Sequence, residues 1–393
     1  MTPSRIFATL LMIALTLTGA TTCADESPGL VQQRPASGRS VRTPQGFMVP
    51  YTARIPGTDA SFEMEPVPGG ILTISLPAAQ DKRAPRKQRI AKLQVPPFWI
   101  GKHEVTWSEF RHYMDLHRTF RALARQRKQQ DPKVKPDAVT APSDVYDISF
   151  AHQSGTNARL PAVTMTQFTA KQYTCWLSKL TTDQYRLPTA MEWEYACRAG
   201  ATTPFHFGSR HEQLDTYAWH FGNSHERAHI VGQKKPNAWG LHDMHGNVWE
   251  WVVDRYSPQP WEGITGTERD VIAAVRWPKS RASMTVCGGS WDDFPRECRA
   301  DSRLRSQEDQ WKRQDPHLPR SPWWFTDSPA DTIGFRIVRS LTPLPDAQMH
   351  RFWYSTIPQE AAEVNTKLHE GRGAVGRVHP QLPRLLQQLD NKK

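Results

Sequence analysis

The 393-residue chain has no apolar run after residue 24 that is long enough to cross a bilayer, which excludes an integral span in the mature protein. It also lacks the interleaved aromatic and basic residues that nucleic-acid-binding proteins use. Its net charge of +11 is the single feature that favours nucleic-acid binding, and we expect that the protein does not bind nucleic acid. Regular periodicity is nearly missing between residues 201 and 340. With 32 Pro and 23 Gly, these absences favour a loop-rich globular protein.

The one short apolar segment, residues 6–18, lies close to the N-terminus. It follows a basic residue and precedes small residues, which is the layout of a secretory signal peptide covering residues 1–24. Cleavage fits after Ala20 or Ala24. Cys23 raises the question of a lipid anchor, but the two Thr before it fit a lipid-attachment site poorly. We therefore expect an exported protein, periplasmic or secreted.

Cysteine is scarce, and removal of Cys23 leaves four. An exported chain permits disulfides, and four cysteines allow three complete pairings. The sequence does not choose among them. The remaining cysteines are Cys175, Cys197, Cys287 and Cys298.

Composition divides the mature chain into three parts. Residues 25–60 are rich in Pro, Gly, Ser and Arg and predict a linker. Residues 61–342 contain the strand and helix patterns of a domain, and residues 343–393 predict a partly disordered tail. Capping signals predict helices that begin after Thr106, Thr166 and Thr189.

The stretch Trp239–Trp251 holds three Trp, two His, two acids and two Gly. Such a density of Trp requires burial, which predicts a tight turn at the centre of the domain. Asp243 and Glu250 offer carboxylate oxygens, and a bend at Gly246 would aim main-chain carbonyls at the same point, which is Ca²⁺ chemistry. A packed Trp corner with solvated acids is the alternative.

Several motifs follow one another in the chain: Gly101–Thr106, Arg186–Gly200, Gly240–Trp251, Gly288–Trp291 and Gly334–Arg336. Together they closely resemble the formylglycine-generating enzyme family, also called the sulfatase-modifying factor family, over about residues 61–340. The resemblance implies a single α+β domain with a loop-rich fold related to C-type lectin-like domains. We expect a monomer.

The resemblance also implies a structural Ca²⁺ site at the Trp239–Trp251 turn. The family's ligands fall on the side chains of Asp243 and Glu250 and on the main-chain carbonyls of Gly246 and Val248. A second Ca²⁺ site of some members would lie near Trp219–His229, where the sequence does not identify ligands. An ion of this kind would add its binding free energy to the stability of a loop-rich fold.

Family members oxidise a cysteine in a sulfatase peptide to formylglycine, with O₂ and a copper ion held by two thiolates. The first thiolate position holds Asp293 here, and the second holds Cys298. A hard carboxylate is a poor ligand for Cu(I), so the resemblance implies that the usual copper site is absent. Cys287 could still meet Cys298, either in a disulfide or as an unusual pair of copper ligands. The alternative is that both cysteines are buried as small apolar side chains.

The remaining candidates form a polar cleft, with Ser290, Asp293 and Cys298 as the candidate catalytic residues. The other members of the cleft are Trp291, Asp292, Glu297 and Arg299, with Trp249 and Trp251 nearby. Asp292 and Asp293 offer a general base or metal ligands, and a solvated turn is the alternative.

Three functions follow for the chain. The first is a remodelled family member that binds or oxidatively tailors a peptide or small ligand. The second is a genuine sulfatase-activating oxidase using Cys298 and Cys287, with an unfolded sulfatase as partner. The third is a lectin-like binding module without chemistry. Whether the chain is an enzyme stays open, and an enzyme of this kind would be an O₂-dependent oxidoreductase.

Overall fold

The computed structural model describes residues 27–76, 89–127, 138–144, 153–259, 269–327 and 330–382. The predicted signal peptide, residues 1–24, lies outside the described residues. The described part combines short strands in several small sheets with short helices, so the α+β class is confirmed. No helix among the described residues is long and apolar enough to cross a membrane.

The strands are short, and most contain two to four residues. In chain order they are β1 (Leu30–Val31), β2 (Val41–Thr43), β3 (Gly46–Met48), β4 (Tyr51–Arg54), β5 (Ser61–Val67), β6 (Gly70–Leu76), β7 (Arg89–Val95), β8 (Phe98–Gly101), β9 (Val139–Ala141), β10 (Tyr185–Arg186), β11 (Trp249–Arg255), β12 (Arg269–Asp270), β13 (Met284–Cys287), β14 (Arg303–Arg305), β15 (Ile333–Gly334), β16 (Val338–Ser340) and β17 (Ala374–Gly376). They pair in the orders β10-β16-β8-β5-β4, β14-β13-β11-β15, β12-β7-β6, β1-β3-β2 and β17-β9.

The described residues form seven α-helices, which are α1 (Trp107–Met114), α2 (Leu116–Arg127), α3 (Gln167–Thr181), α4 (Ala190–Arg198), α5 (Glu308–Trp311), α6 (Asp346–Trp353) and α7 (Pro358–His369). Three of them, α1, α3 and α4, begin where the capping signals predict. Thr106, Thr166 and Thr189 are the N-cap residues of α1, α3 and α4, and α1 and α4 carry the complete capping box. The side-chain oxygens thereby satisfy main-chain N–H groups that the first helical turn leaves unpaired.

Three of the sequence motifs meet in the four-stranded sheet. Glu250 on β11 lies opposite Cys287 of β13 in an antiparallel pair and opposite Gly334 of β15 in a parallel pair. The Trp-rich turn therefore enters this sheet between the strand that leads to Gly288–Trp291 and the strand that leads to Arg336. This pairing brings distant segments of the chain to one place.

Residues 25–60 do not form the predicted linker where the structure describes them. They contribute β1 to β4, and β4 joins the five-stranded sheet by pairing with β5. The indole N–H of Trp99 donates to the carbonyl of Val49, and Arg339 donates to the carbonyl of Pro28. Their composition resembles a linker, but backbone pairing with buried partners orders them.

Residues 343–382, the described part of the predicted tail, are also ordered rather than disordered. Helices α6 and α7 place Met349, Phe352 and Val364 in the main core cluster, and β17 pairs with β9. The buried ammonium of Lys171 donates to two carbonyls at the end of α6 and just beyond it. These residues therefore belong to the packed body of the protein, since their apolar faces are spaced for two short amphipathic helices.

Candidate functional site

The Trp239–Trp251 turn is tightly wound and almost fully buried. Asp243 and Asn247 both adopt positive φ angles, 60° and 62°. A Cβ atom at Gly246 would lie 2.1 Å from the carbonyl oxygen of Trp219, so only glycine fits there. The segment thus forms the tight, buried turn that its Trp content predicts.

Glu250 lies at the centre of a buried ion pair. Its two carboxylate oxygens accept from Nη2 and Nε of Arg336, both at 2.6 Å, and one also accepts from the indole N–H of Trp193 at 2.7 Å. Arg336 donates further to the carbonyls of Gly101 and His242. The pair thus ties the turn to β15 and to the end of β8, with neither side chain exposed.

Glu104 is a further buried acid, and it lies near Asp243. One carboxylate oxygen of Asp243 accepts from the N–H of Gly232 at 2.7 Å, and its Oδ1 has no partner. Glu104 accepts from the side-chain amide of Asn247 at 3.0 Å, and its Oε2 also has no partner. Burial raises the pKa of Asp243 to about 6, and burial together with the Asp243 charge raises the pKa of Glu104 well above its usual value.

These contacts test the predicted Ca²⁺ ligands. Asp243 fits a cation, because a buried carboxylate oxygen without a partner is the donor that Ca²⁺ prefers. Glu250 fits less well, because Arg336 and Trp193 already occupy its oxygens. Within the described residues, no group of three or more His, Cys, Asp and Glu side chains has a metal-binding arrangement. A cation here would therefore depend on main-chain oxygens, such as those of Gly246 and Val248, as well as on side chains.

The Gly288–Trp291 loop places Ser290 and Asp293 in direct contact. The main-chain N–H and the hydroxyl of Ser290 both donate to Oδ2 of Asp293, at 2.9 and 2.5 Å. Burial raises the pKa of Asp293, and the bonds from Ser290 and Trp249 oppose that rise. The structure thus brings these two predicted site residues together, and two bonds from Ser290 hold the carboxylate of Asp293 in place.

Cys298 lies close by, but it is fully buried. A Cβ atom at Gly289 would lie 2.8 Å from its Sγ, and its thiol contacts the carbonyls of Ser290 and Phe294. Burial is the main reason that the pKa of its thiol is raised well above the usual value. The protonated thiol is a poor nucleophile and a poor metal ligand.

Cys287 lies apart from Cys298. It packs in the cluster around β7 and α4, whereas Cys298 packs with Phe205 and Leu214. Neither forms a disulfide, and burial raises the pKa of Cys287 to about 12. Protonated thiols in separate clusters, with Asp293 as the remaining donor, do not fit a Cu(I) site.

The outer rim of the loop is aromatic and acidic. The rings of Phe221 and Phe294 lie 5.1 Å apart, and each side chain is 49% exposed. The main-chain N–H of Phe221 donates to the carbonyl of Asp293, which fixes this rim to the loop. Asp292 is exposed, and both burial and the charge of Asp292 raise the pKa of nearby Asp331, to about 6.

The other predicted cleft residues serve the loop itself. Trp291 is buried, and its main-chain N–H donates to the carbonyl of Asn247, which joins the loop to the Trp-rich turn. Glu297 accepts from the N–H of Phe294, and Arg299 forms an exposed ion pair with Asp301. Trp251 lies further inside, where its indole donates to the carbonyl of Met165.

The stretch Trp219–His229, where the resemblance implies a second Ca²⁺ site, contains a stack of two rings. The rings of Trp219 and His229 lie 3.7 Å apart and nearly parallel, and the ammonium of Lys234 lies 3.9 Å from the Trp219 ring. A cationic side chain thus already occupies one face of this indole.

Sequence reasoning missed two residues of the site. Glu104 lies within the Gly101–Thr106 motif, where a charged residue between two apolar core segments is a signal for a buried functional side chain. Phe221 carried no signal, because nothing local shows that it meets Phe294, which lies 73 positions later in the sequence.

Comparisons with known proteins agree with the resemblance. The family model described as "Sulfatase-modifying factor enzyme 1-like domain" matches residues 57–341. Hercynine oxygenase of Mycolicibacterium smegmatis is 26% identical over 270 residues, which cover 62% of this chain and 60% of that protein. Formylglycine-generating enzyme of Bos taurus is 23% identical over 315 residues, covering 72% of this chain and 75% of that protein.

Among solved structures, PvdO from Pseudomonas aeruginosa is similar, with 26% identity and a TM-score of 0.47. The match covers 74% of this chain and 100% of that chain.

Proposed function

This chain belongs to the sulfatase-modifying factor enzyme 1-like family, and we propose that it is an exported member whose Ser290–Cys298 loop binds a peptide or small ligand without two-thiolate copper chemistry. The observation that carries the proposal is the contact between Asp293 and Ser290. A carboxylate held by two donors occupies the position that a thiolate would need.

Support for binding rather than copper-dependent oxidation comes from the burial of Cys298. A thiol without exposure and with a raised pKa does not reach a ligand in solution. Ser290 is also buried, so the surface that a ligand meets is the rim rather than these two side chains.

The rim indicates what kind of ligand fits. Exposed aromatic rings at Phe221 and Phe294 offer stacking surface, and such rings attract cations as well as apolar groups. Partial burial and the nearby charge of Glu226 raise the pKa of Asp292, which adds an acidic group to the rim. We propose a ligand with an apolar or aromatic group beside a positive charge, such as a basic peptide.

Fluorescence anisotropy with a labelled sulfatase-type peptide containing Cys-x-Pro-x-Arg tests the proposal. We expect Phe294→Ala to weaken binding by about tenfold, because an aromatic anchor of a contact surface contributes at least 1 kcal/mol. Leu318→Ala is the matched control, since Leu318 is an exposed apolar residue, 85% accessible, outside the loop. It should leave binding unchanged.

A hydrazide probe for aldehydes, used with Cu(I) and O₂ on the same peptide, separates binding from oxidation. Binding without aldehyde supports the proposal. An aldehyde signal that disappears in Cys298→Ser would overturn it in favour of a sulfatase-activating oxidase. Failure of the wild-type protein to bind the peptide would overturn the basic-peptide ligand.

We also propose that the Trp239–Trp251 turn holds a structural Ca²⁺. The unpartnered Oδ1 of Asp243 supports this proposal. The main-chain carbonyls of Gly246 and Val248 are further ligands that the resemblance implies, whereas the Glu250 ligand that it also implies is already engaged by Arg336 and Trp193. Chelation should lower the melting temperature of the wild-type protein, and Asp243→Asn should remove that sensitivity. A wild-type melting curve that chelator leaves unmoved would refute the Ca²⁺ site.

Export follows from the predicted signal peptide alone. N-terminal sequencing of the protein recovered from outside the cytoplasm should begin after Ala20 or Ala24. An intact Met1 in the recovered protein would contradict it.

A further inference from the structure

Four buried charged groups meet beneath the Trp239–Trp251 turn. They are the carboxylates of Glu104, Asp243 and Glu250 and the guanidinium of Arg336, and none is more than 2% exposed. Each carboxylate interacts electrostatically with Arg336. When all four are ionised, three negative charges face one positive charge, so the cluster has a net charge of about −2.

Nearby basic side chains do not supply the missing positive charge. Lys102 forms an ion pair with Glu63. Lys234 interacts electrostatically with Asp243 from a partly exposed position, and its ammonium donates to the carbonyl of Asp215. Apart from the Arg336–Glu250 pair, no ion pair among the described residues includes a member of the cluster.

The geometry shows where that excess charge lies. Arg336 and Trp193 engage Glu250, whereas Oε2 of Glu104 and Oδ1 of Asp243 have no partner. Burying an ionised carboxylate without compensation costs several kcal/mol, so two such groups side by side need a cation or a proton. A shared proton would balance only one of the two charges.

We propose that Glu104 is a direct ligand of the divalent cation held at this turn, together with Asp243, and that the charge of the cation balances the cluster. This proposal rests on the proposed Ca²⁺ site and adds a side chain from the segment between β8 and α1. Hard carboxylate oxygens with free lone pairs suit Ca²⁺, whose affinity depends on the number of charged ligands. The cation would join this segment to the Trp-rich turn.

Glu104→Gln tests the proposal, with Glu109→Gln as the matched control. Glu109 is also a buried acid of the same segment, but its carboxylate accepts from Thr106 and lies outside the cluster. Equilibrium dialysis against Ca²⁺ should show about 10- to 100-fold weaker binding in Glu104→Gln. Glu109→Gln should bind Ca²⁺ as the wild-type protein does.

Melting curves give a second readout. In chelator, Glu104→Gln should melt at or above the wild-type temperature, because it removes an uncompensated buried charge. In Ca²⁺ it should melt below the wild-type protein, because it loses a ligand. This reversal separates a ligand from a merely structural residue, which would lower both curves alike.

The outcomes distinguish the two proposals. Unchanged Ca²⁺ affinity in Glu104→Gln, with one ion bound per chain, would overturn the role of Glu104 and leave the Ca²⁺ site standing. Equal destabilisation with and without Ca²⁺ would also overturn it. A wild-type protein that binds no Ca²⁺ would overturn both.

Discussion

Replacement of Arg336 by Met should be among the most damaging single changes in this protein. The guanidinium makes two bonds of 2.6 Å to Glu250 and donates to the carbonyls of Gly101 and His242 at 2.9 and 3.1 Å. Met has a similar length and keeps much of the packing, but it leaves a buried carboxylate uncompensated. Breaking such a pair costs about 3–5 kcal/mol, and the two abandoned carbonyls raise the total to about 4–6 kcal/mol.

Urea unfolding followed by Trp fluorescence measures this loss, since buried Trp residues report the core. The double variant Arg336→Met with Glu250→Gln should recover about 2 kcal/mol, because it removes the stranded charge. Arg299→Met is the matched control, since the Arg299–Asp301 pair is more than 40% exposed on both sides and contributes less than about 1 kcal/mol. The reasoning is refuted if Arg336→Met is no more harmful than Arg299→Met, or if Glu250→Gln gives no rescue.

Three further changes have defined outcomes. Burial raises the pKa of Glu109 to about 7, so its protonated form favours folding at low pH, and stability falls as the pH rises from about 4.5 through 7. Glu109→Gln, whose side-chain oxygen still accepts from Thr106, should match the wild-type free energy of unfolding near pH 4 and exceed it by about 3 kcal/mol at pH 8. Deletion of residues 343–393 should abolish the cooperative urea transition, because it removes two helices from the core. Gly289→Ala should lower the free energy of unfolding by about 2–4 kcal/mol, because the residue has a φ of +93° and its new Cβ would lie 2.8 Å from Sγ of Cys298.

Each of these predictions has a control within the chain. For Glu109→Gln, an equal difference from the wild-type protein at both pH values would contradict the proton linkage. For the deletion, a chain that ends at Leu382 keeps α6, α7 and β17 and should unfold cooperatively. For Gly289→Ala, the control is Gly38→Ala, which shares a positive φ of +86° but meets no atom within 4 Å. Equal losses at the two glycines would mean that the contact with Cys298 contributes nothing.

The sequence alone determined the local features of this protein. A Thr followed three positions later by Glu specifies a helix start through bonds within one turn, and the capping boxes that begin at Thr106 and Thr189 are present in the structure. The ordered motifs carried the family, because glycine and Trp positions in tight turns depend on short-range sterics. The resemblance to the family likewise implied that Asp293 stands where other members have the first thiolate.

Only the tertiary structure decided which charges face one another. The pairing of β11 with β13 and β15 aligns Glu250 with Cys287 and Gly334, which lie 37 and 84 positions later in the sequence, and nothing local encodes that register. The same pairing commits Glu250 to Arg336 and leaves Asp243 and Glu104 with unpaired oxygens. The predictions of a linker and of a partly disordered tail differ from the described structure for a related reason. Composition describes what a segment is made of, whereas its order depends on partners that only the folded chain supplies.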